Sequence, residues 1–105
     1  MSDTLNQLVD QIRVATDYQK NKQALRDKIL TDLHLSYAGG LFLIDMNLLA
    51  FLATWPSDEL YIQDIYENPI RVVRQELLSR AQQHYQSVMN TWHIEHEKLK
   101  QIRKI

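Results

Sequence analysis

Residues 74–104, RQELLSRAQQHYQSVMNTWHIEHEKLKQIRK, carry the clearest pattern in the chain and decide how the rest is read. Leu78, Ala81, Tyr85, Val88, Trp92, Glu95, Leu99 and Ile102 recur at alternating steps of three and four. That spacing keeps a seam on one side of a helix, and a heptad seam belongs to a helix that pairs lengthwise with another. Glu95 is its one polar member. The stretch predicts a helix over 74–104 whose seam needs a partner, either within the chain or on a second copy.

The opposite end supplies a candidate partner. The two prolines and two glycines all fall between positions 39 and 69, which leaves both ends without helix breakers. Thr4 and Gln7 stand at capping-box spacing, and Leu5, Leu8, Val9, Ile12 and Ala15 follow on one helical face. The stripe weakens over 16–23 and returns at Leu25, Ile29, Leu30 and Leu33. With no glycine or proline between, the reading is one helix over 4–36, ended by Gly39-Gly40, where positive φ is cheap.

Between these helices the pattern changes. Leu41-Phe42-Leu43-Ile44 is a candidate strand, and Asp45 can N-cap a short helix from Met46 to Thr54, closed by Trp55-Pro56. The strand and short helix together occupy 41–54. Leu60-Tyr61-Ile62 and Ile70-Arg71-Val72-Val73 have β-branched and aromatic content, and Tyr66-Glu67-Asn68-Pro69 is turn chemistry, so 60–73 reads as a β-hairpin. The competing reading starts the last helix at Pro69, a favoured first helical position. The expected fold class is α+β, predominantly helical, with two long terminal helices packed antiparallel around a short insert in a single domain over 1–105.

Composition bounds the function. A net charge of −1 argues against a dedicated nucleic-acid binder, which draws its affinity from a basic excess. Hydrophobic residues at 45% and charged residues at 24% are globular values, which argues against a disordered chain. The absence of cysteine removes disulfides, thiolate nucleophiles and cysteine-based zinc sites. The first residues lack the basic and apolar regions of a signal peptide. The most apolar stretch, 39–55, is interrupted by Asp45 and Asn47 and is too short to span a bilayer.

Candidate sites are few. His93, His96 and Glu97 share a helix face, with His84 or His34 as the other possible ligands, but a structural zinc site needs four ligands and this spacing is not the His-Glu-x-x-His arrangement. A solvated helix face is the expected reading, with no metal and no cofactor. Asp58, Glu59, Asp64 and Glu67 make an acidic patch around the hairpin, read as surface charge, because acid–base chemistry needs a desolvating pocket. Lys98, Lys100, Arg103 and Lys104 complement the helix dipole. The serines lack a nucleophile-elbow context and Gly39-Gly40 is not a phosphate loop, so no enzyme is expected. Self-association is expected along Leu78, Tyr85, Val88, Trp92, Leu99 and Ile102, giving a homodimer. Trp55, Tyr61 and Tyr66 are the candidate anchors for a different protein, since tryptophan and tyrosine dominate interface hot spots.

From Gly40 onward these features also carry a resemblance. Gly39-Gly40 before an apolar run, Trp55, Asp64 with Asn68-Pro69 and Val72, then Glu76-Leu77-Leu78 opening a long helix that closes with Leu99-Lys100 and Ile102, resemble small proteins of tailed phages, including phages of cyanobacteria. The likeness is to the helical region at the end of some tail-fibre-assembly proteins. It implies a virion-assembly or structural role through contacts with another phage or host protein, in the host cytoplasm or the virion, and no chemistry. The reading from another class is a small regulatory adaptor that binds a host protein.

Overall fold

The structure, a computed structural model, describes residues 2–103. The side chain of the seam residue Ile102, and Lys104 at the expected helix end, lie outside the described residues. Helix α1 spans Ser2–Asp32 without interruption through 16–23. A hairpin follows, β1 (His34–Tyr37) and β2 (Gly40–Leu43), then helix α2 (Met46–Thr54). A second hairpin, β3 (Glu59–Gln63) and β4 (Pro69–Val73), leads straight into helix α3 (Arg74–Arg103). The protein is therefore α+β and mostly helical, with two long helices flanking two small antiparallel sheets.

The first hairpin corrects the sequence reading, which carried α1 through residue 36. Ala38 and Gly39 both have positive φ, 51° and 84°. Two such residues make a loop whose twist matches that of the strands, so the chain folds back at once and His34 pairs with Leu43. Gly39 serves this loop rather than a helix stop. Gly40 opens β2 for a different reason: a Cβ there would lie 2.7 Å from Ile70 Cγ1. The helix end is closed instead by tertiary partners. Ile44 N donates to Leu33 O (3.0 Å), and His84 Nε2 donates to Asp32 O (2.6 Å). Both satisfy carbonyls that a helix terminus leaves open.

Helix α2 begins where its cap allows. Asp45 is extended and its carboxylate accepts from Leu48 N at 2.8 Å. At the other end Trp55, with ψ of 132°, is held extended by Pro56 and cannot continue the helix. In the second hairpin Leu60, Ile62, Ile70 and Val72 point inward and pair across the strands, while Tyr61, Arg71 and Val73 point out. Because β4 includes Pro69 and runs to Val73, α3 starts at Arg74 and not at the proline.

Two apolar clusters hold these elements. The larger contains Tyr37, Phe42, Ile44, Leu52, Leu60, Val72, Leu77, Leu78 and Ala81, which joins both hairpins and α2 to the first turns of α3. The smaller is Ile29, Leu33 and Val88, with Leu25, Met89 and Trp92 against it, where α1 meets the middle of α3. Tyr85 touches both. As α1 runs back from Asp32 towards Gln19, α3 runs forward from His84 to His96, so the long helices are antiparallel. The molecule measures 70 × 23 × 19 Å.

Asp64 ties the two hairpins together. Its carboxylate accepts from Tyr66 N and Asn68 N, both at 3.0 Å, and from Leu41 N of the other hairpin at 3.2 Å. Ile65 N returns a bond to Leu41 O at 2.9 Å. The expected acidic surface patch is thus not one feature. Asp64 is buried, Asp58 pairs with Arg74 at 3.6 Å, and Glu59 pairs with Arg71 across the strands. The Asn68 N–H first, and the Leu41 and Tyr66 N–H groups with it, favour the charged carboxylate and hold the Asp64 pKa below its ordinary 3.8. A lowered folded pKa contributes stability that is complete above the ordinary carboxylate range and is lost as pH falls through the folded value. Asp64→Asn should therefore be less stable than the native chain at neutral pH, with the gap closing as the pH is taken below about 4. Circular-dichroism melts across that range read it. A gap that persists unchanged in acid would show that the charge is not what stabilises the turn.

Candidate interaction surfaces

Among the described residues, nothing buries a side chain in the first half of α1. Side chains from Asp3 to Asp17 are all exposed, and the first buried one is Tyr18. Leu5, Leu8, Val9, Ile12 and Val14 stand 44–61% exposed along this arm. The cause is register. With His96 facing Gln19 across the antiparallel pair and α3 described as far as Arg103, the residues of α1 before about Ile12 lie beyond the described part of α3. The arm's helical residues carry their apolar stripe into solvent.

Where the two helices run side by side, a groove of about 650 Å³ opens between them. Met89 and Trp92 supply its apolar surface; Gln19, Lys22, Gln23 and Arg26 line it from α1, and His93 and His96 from α3. Among the described residues no carboxylate lines it. Among the described residues neither Lys22 nor Arg26 has an ion-pair partner. The acidic groups near the end of α3 are already engaged. Glu97 accepts from Lys100 and Glu95 from Lys98, each at 3.2 Å, and the Lys100 contact lowers the Glu97 pKa. Among the described residues no group of three or more His, Cys, Asp or Glu side chains could hold a metal ion.

The seam residues of α3 divide by what covers them. Leu78 and Val88, each 7% exposed, are packed inside the chain, Leu78 in the larger cluster and Val88 against α1. Those two cannot receive a second copy without unfolding this one. Tyr85, Trp92 and Leu99 are half-buried, and Trp92 borders the groove. The surface left open to a partner is the arm of α1 and the groove beside it. A stripe that ends before its intramolecular partner begins was not distinguished, in sequence, from one that is covered.

At the compact end of the molecule lie the other candidates. Tyr61 is 71% and Tyr66 68% exposed, and Trp55 stacks on Phe51 with ring centroids 5.1 Å apart. Tyr61 and Val73 share the outer face of the second hairpin, and Tyr66 and Ile65 stand on its turn. Among the described residues no helix is long and apolar enough to cross a membrane. No protein-family model, no curated protein and no solved structure matches the chain.

Proposed function

We propose that the protein is a non-catalytic assembly or structural module that acts through protein–protein contacts, of the kind encoded by tailed phages. The observation that carries this is the open arm: large apolar side chains along a helix that the other described residues leave exposed. Contiguous apolar surface on a small protein marks a contact site. The exposed tyrosines of the second hairpin, amphipathic and rigid, suit a second contact at the far end of the molecule. That end also favours the alternative, a regulatory adaptor that docks a host protein there.

Photo-crosslinking from position 61, in cells carrying the genome that encodes the chain, separates the two. A virion component as the adduct supports the assembly role, and a host regulatory protein supports the adaptor. Tyr61→Ala with Tyr66→Ala should abolish capture of that same component in a pull-down. Particle assembly and host physiology both unchanged without the gene would overturn both readings.

A further inference from the structure

We infer that the groove between α1 and α3 is a binding site for a small organic anion that carries a flat ring, in the class of nucleoside monophosphates. This goes beyond the proposed contact role and draws on neither the arm nor the hairpin tyrosines.

The first argument is where the apolar pattern of α1 fails. Tyr18, Leu25 and Ile29 lie along the line by which α1 buries side chains. Position 22 stands four residues after Tyr18 and three before Leu25, so the helical period returns to that line there. Lysine occupies it. The polar residues of 16–23 do not all face away from α3. Gln19, Lys22 and Gln23 line the groove, with Arg26 one turn further on. Helix α3 answers with Met89, Trp92, His93 and His96, so each helix contributes positions i, i+3, i+4 and i+7, one face over two turns. The helices pack closely where Ile29 meets Val88, and two turns along α1 from there space remains between them. A leucine at 22 would carry the apolar line on and cover Trp92, which is only half-buried. The chain forgoes that burial. In a helix with buried residues on either side, a layer that forgoes packing marks a place kept for another purpose.

The second argument is charge. Lys22 and Arg26 stand four apart on one helix face, where like charges repel. Among the described residues neither has an ion-pair partner, and no carboxylate lines the groove. The carboxylates next in sequence are engaged elsewhere: Gln23 donates to Asp27 at 2.9 Å, and Glu97 accepts from Lys100 at 3.2 Å. An imidazole carries no negative charge in either protonation state, so His93 and His96 do not oppose an anion. A chain of net charge −1 thus holds a positive concavity that no described side chain balances. Two fixed positive charges match a phosphate monoester, which carries about −1.5 to −2 near neutral pH, better than a single carboxylate. Arg26 offers a planar fork suited to two phosphate oxygens, and Lys22 a point charge.

The third argument is shape. The groove's volume of about 650 Å³ lies within the roughly 300–1,000 Å³ of small-ligand sites, and its two turns extend about 10 Å. A nucleic-acid strand needs a longer basic track. Trp92 and Met89 form the apolar wall. An indole face takes a flat ring by stacking, and a methionine adapts to the ring's edge. Gln19 supplies an amide, which both donates and accepts and so suits the polar edge of a heteroaromatic ring. Ring, polar edge and phosphate each have a counterpart in the groove.

Isothermal titration calorimetry of the full chain with adenosine monophosphate should give saturable binding. Adenosine, which lacks the charge, and inorganic phosphate, which lacks the ring, should each bind at least about tenfold more weakly. Trp55→Phe leaves Trp92 as the single tryptophan, and the nucleotide should quench its fluorescence. Lys22→Gln and Arg26→Gln, both at exposed positions, should each cost about tenfold in affinity. Lys28→Gln removes the same charge from α1 outside the groove and should change affinity by less than about twofold. Lys22→Leu should abolish binding and raise the melting temperature by about 4 °C or more, since it closes the space the ligand needs. Circular dichroism checks that each variant keeps the fold. Absence of binding at millimolar nucleotide, equal affinity for phosphate and nucleotide, or equal losses at positions 22, 26 and 28 overturns the inference. None of these outcomes touches the cross-link from position 61, which reads the proposed function by itself.

Discussion

Leu77→Ala is expected to remove about 2–5 kcal/mol of stability, the range for deleting a buried leucine side chain without collapse of the space it filled. Leu77 is 0% exposed and belongs to the cluster with Phe42 of β2, Ile44 just after it, Leu52 of α2 and Val72 of β4. One side chain on the first turns of α3 thus holds three other elements. A domain of this size has about 5–15 kcal/mol in total, so the variant should unfold at a much lower denaturant concentration. Val9→Ala is the matched control. It removes carbon from the open arm, 47% exposed, and should change monomer stability by about 0.5 kcal/mol or less when measured at concentrations too low for association. Urea unfolding with intrinsic fluorescence compares the two. Equal effects at the two positions would mean that the cluster around Leu77 is not the structural centre of the fold.

The elements that were legible in the sequence are those whose signals are local. Asp45 three residues before Leu48, and Trp55-Pro56 at the other end, bracket α2 by cap and stop chemistry, and the structure gives the helix those limits. The second hairpin declares itself by β-branched and aromatic content and by the turn chemistry of Tyr66-Glu67-Asn68-Pro69. The first hairpin was hidden because Leu25, Ile29 and Leu33 keep a helical period up to its edge. Gly39-Gly40 then reads equally well as a helix end. What decides against the helix is Ile70, which needs Gly40 without a side chain, and the carbonyl of Leu33, which takes Ile44 N. Both are contacts that no local window contains. Asp64 was misread for the same reason, since its role depends on Leu41, distant in sequence. The seam of α3 was visible as a pattern but silent about its occupant. Hairpins and α2 cover Leu78 and Ala81, α1 covers Val88, and only register shows that the same α1 runs on past the described part of α3.

Ile29→Ala should act on α1 alone. Ile29 is 1% exposed and forms with Leu33 and Val88 the smaller cluster, so the expected loss is again about 2–5 kcal/mol, but its distribution differs from that at Leu77. The large residues by which α1 packs on α3 are confined to its second half, where Tyr18 and Ile29 are its buried hydrophobic residues among those described, with Leu33 just after its end. Removing the central one leaves the His84 bond to Asp32 O and the Ile44 bond to Leu33 O to hold the helix end, neither of which reaches further up α1. Hydrogen exchange should therefore show protection lost from the amides of α1 and largely retained in α2 and the second hairpin, because regions with few buried contacts open below the global free energy. Ile29→Val, which keeps most of the volume, should cost only about 0.5–1.5 kcal/mol and restore the protection. If exchange instead rises equally in every element, the two clusters unfold as one unit, and the larger cluster cannot stand without α1.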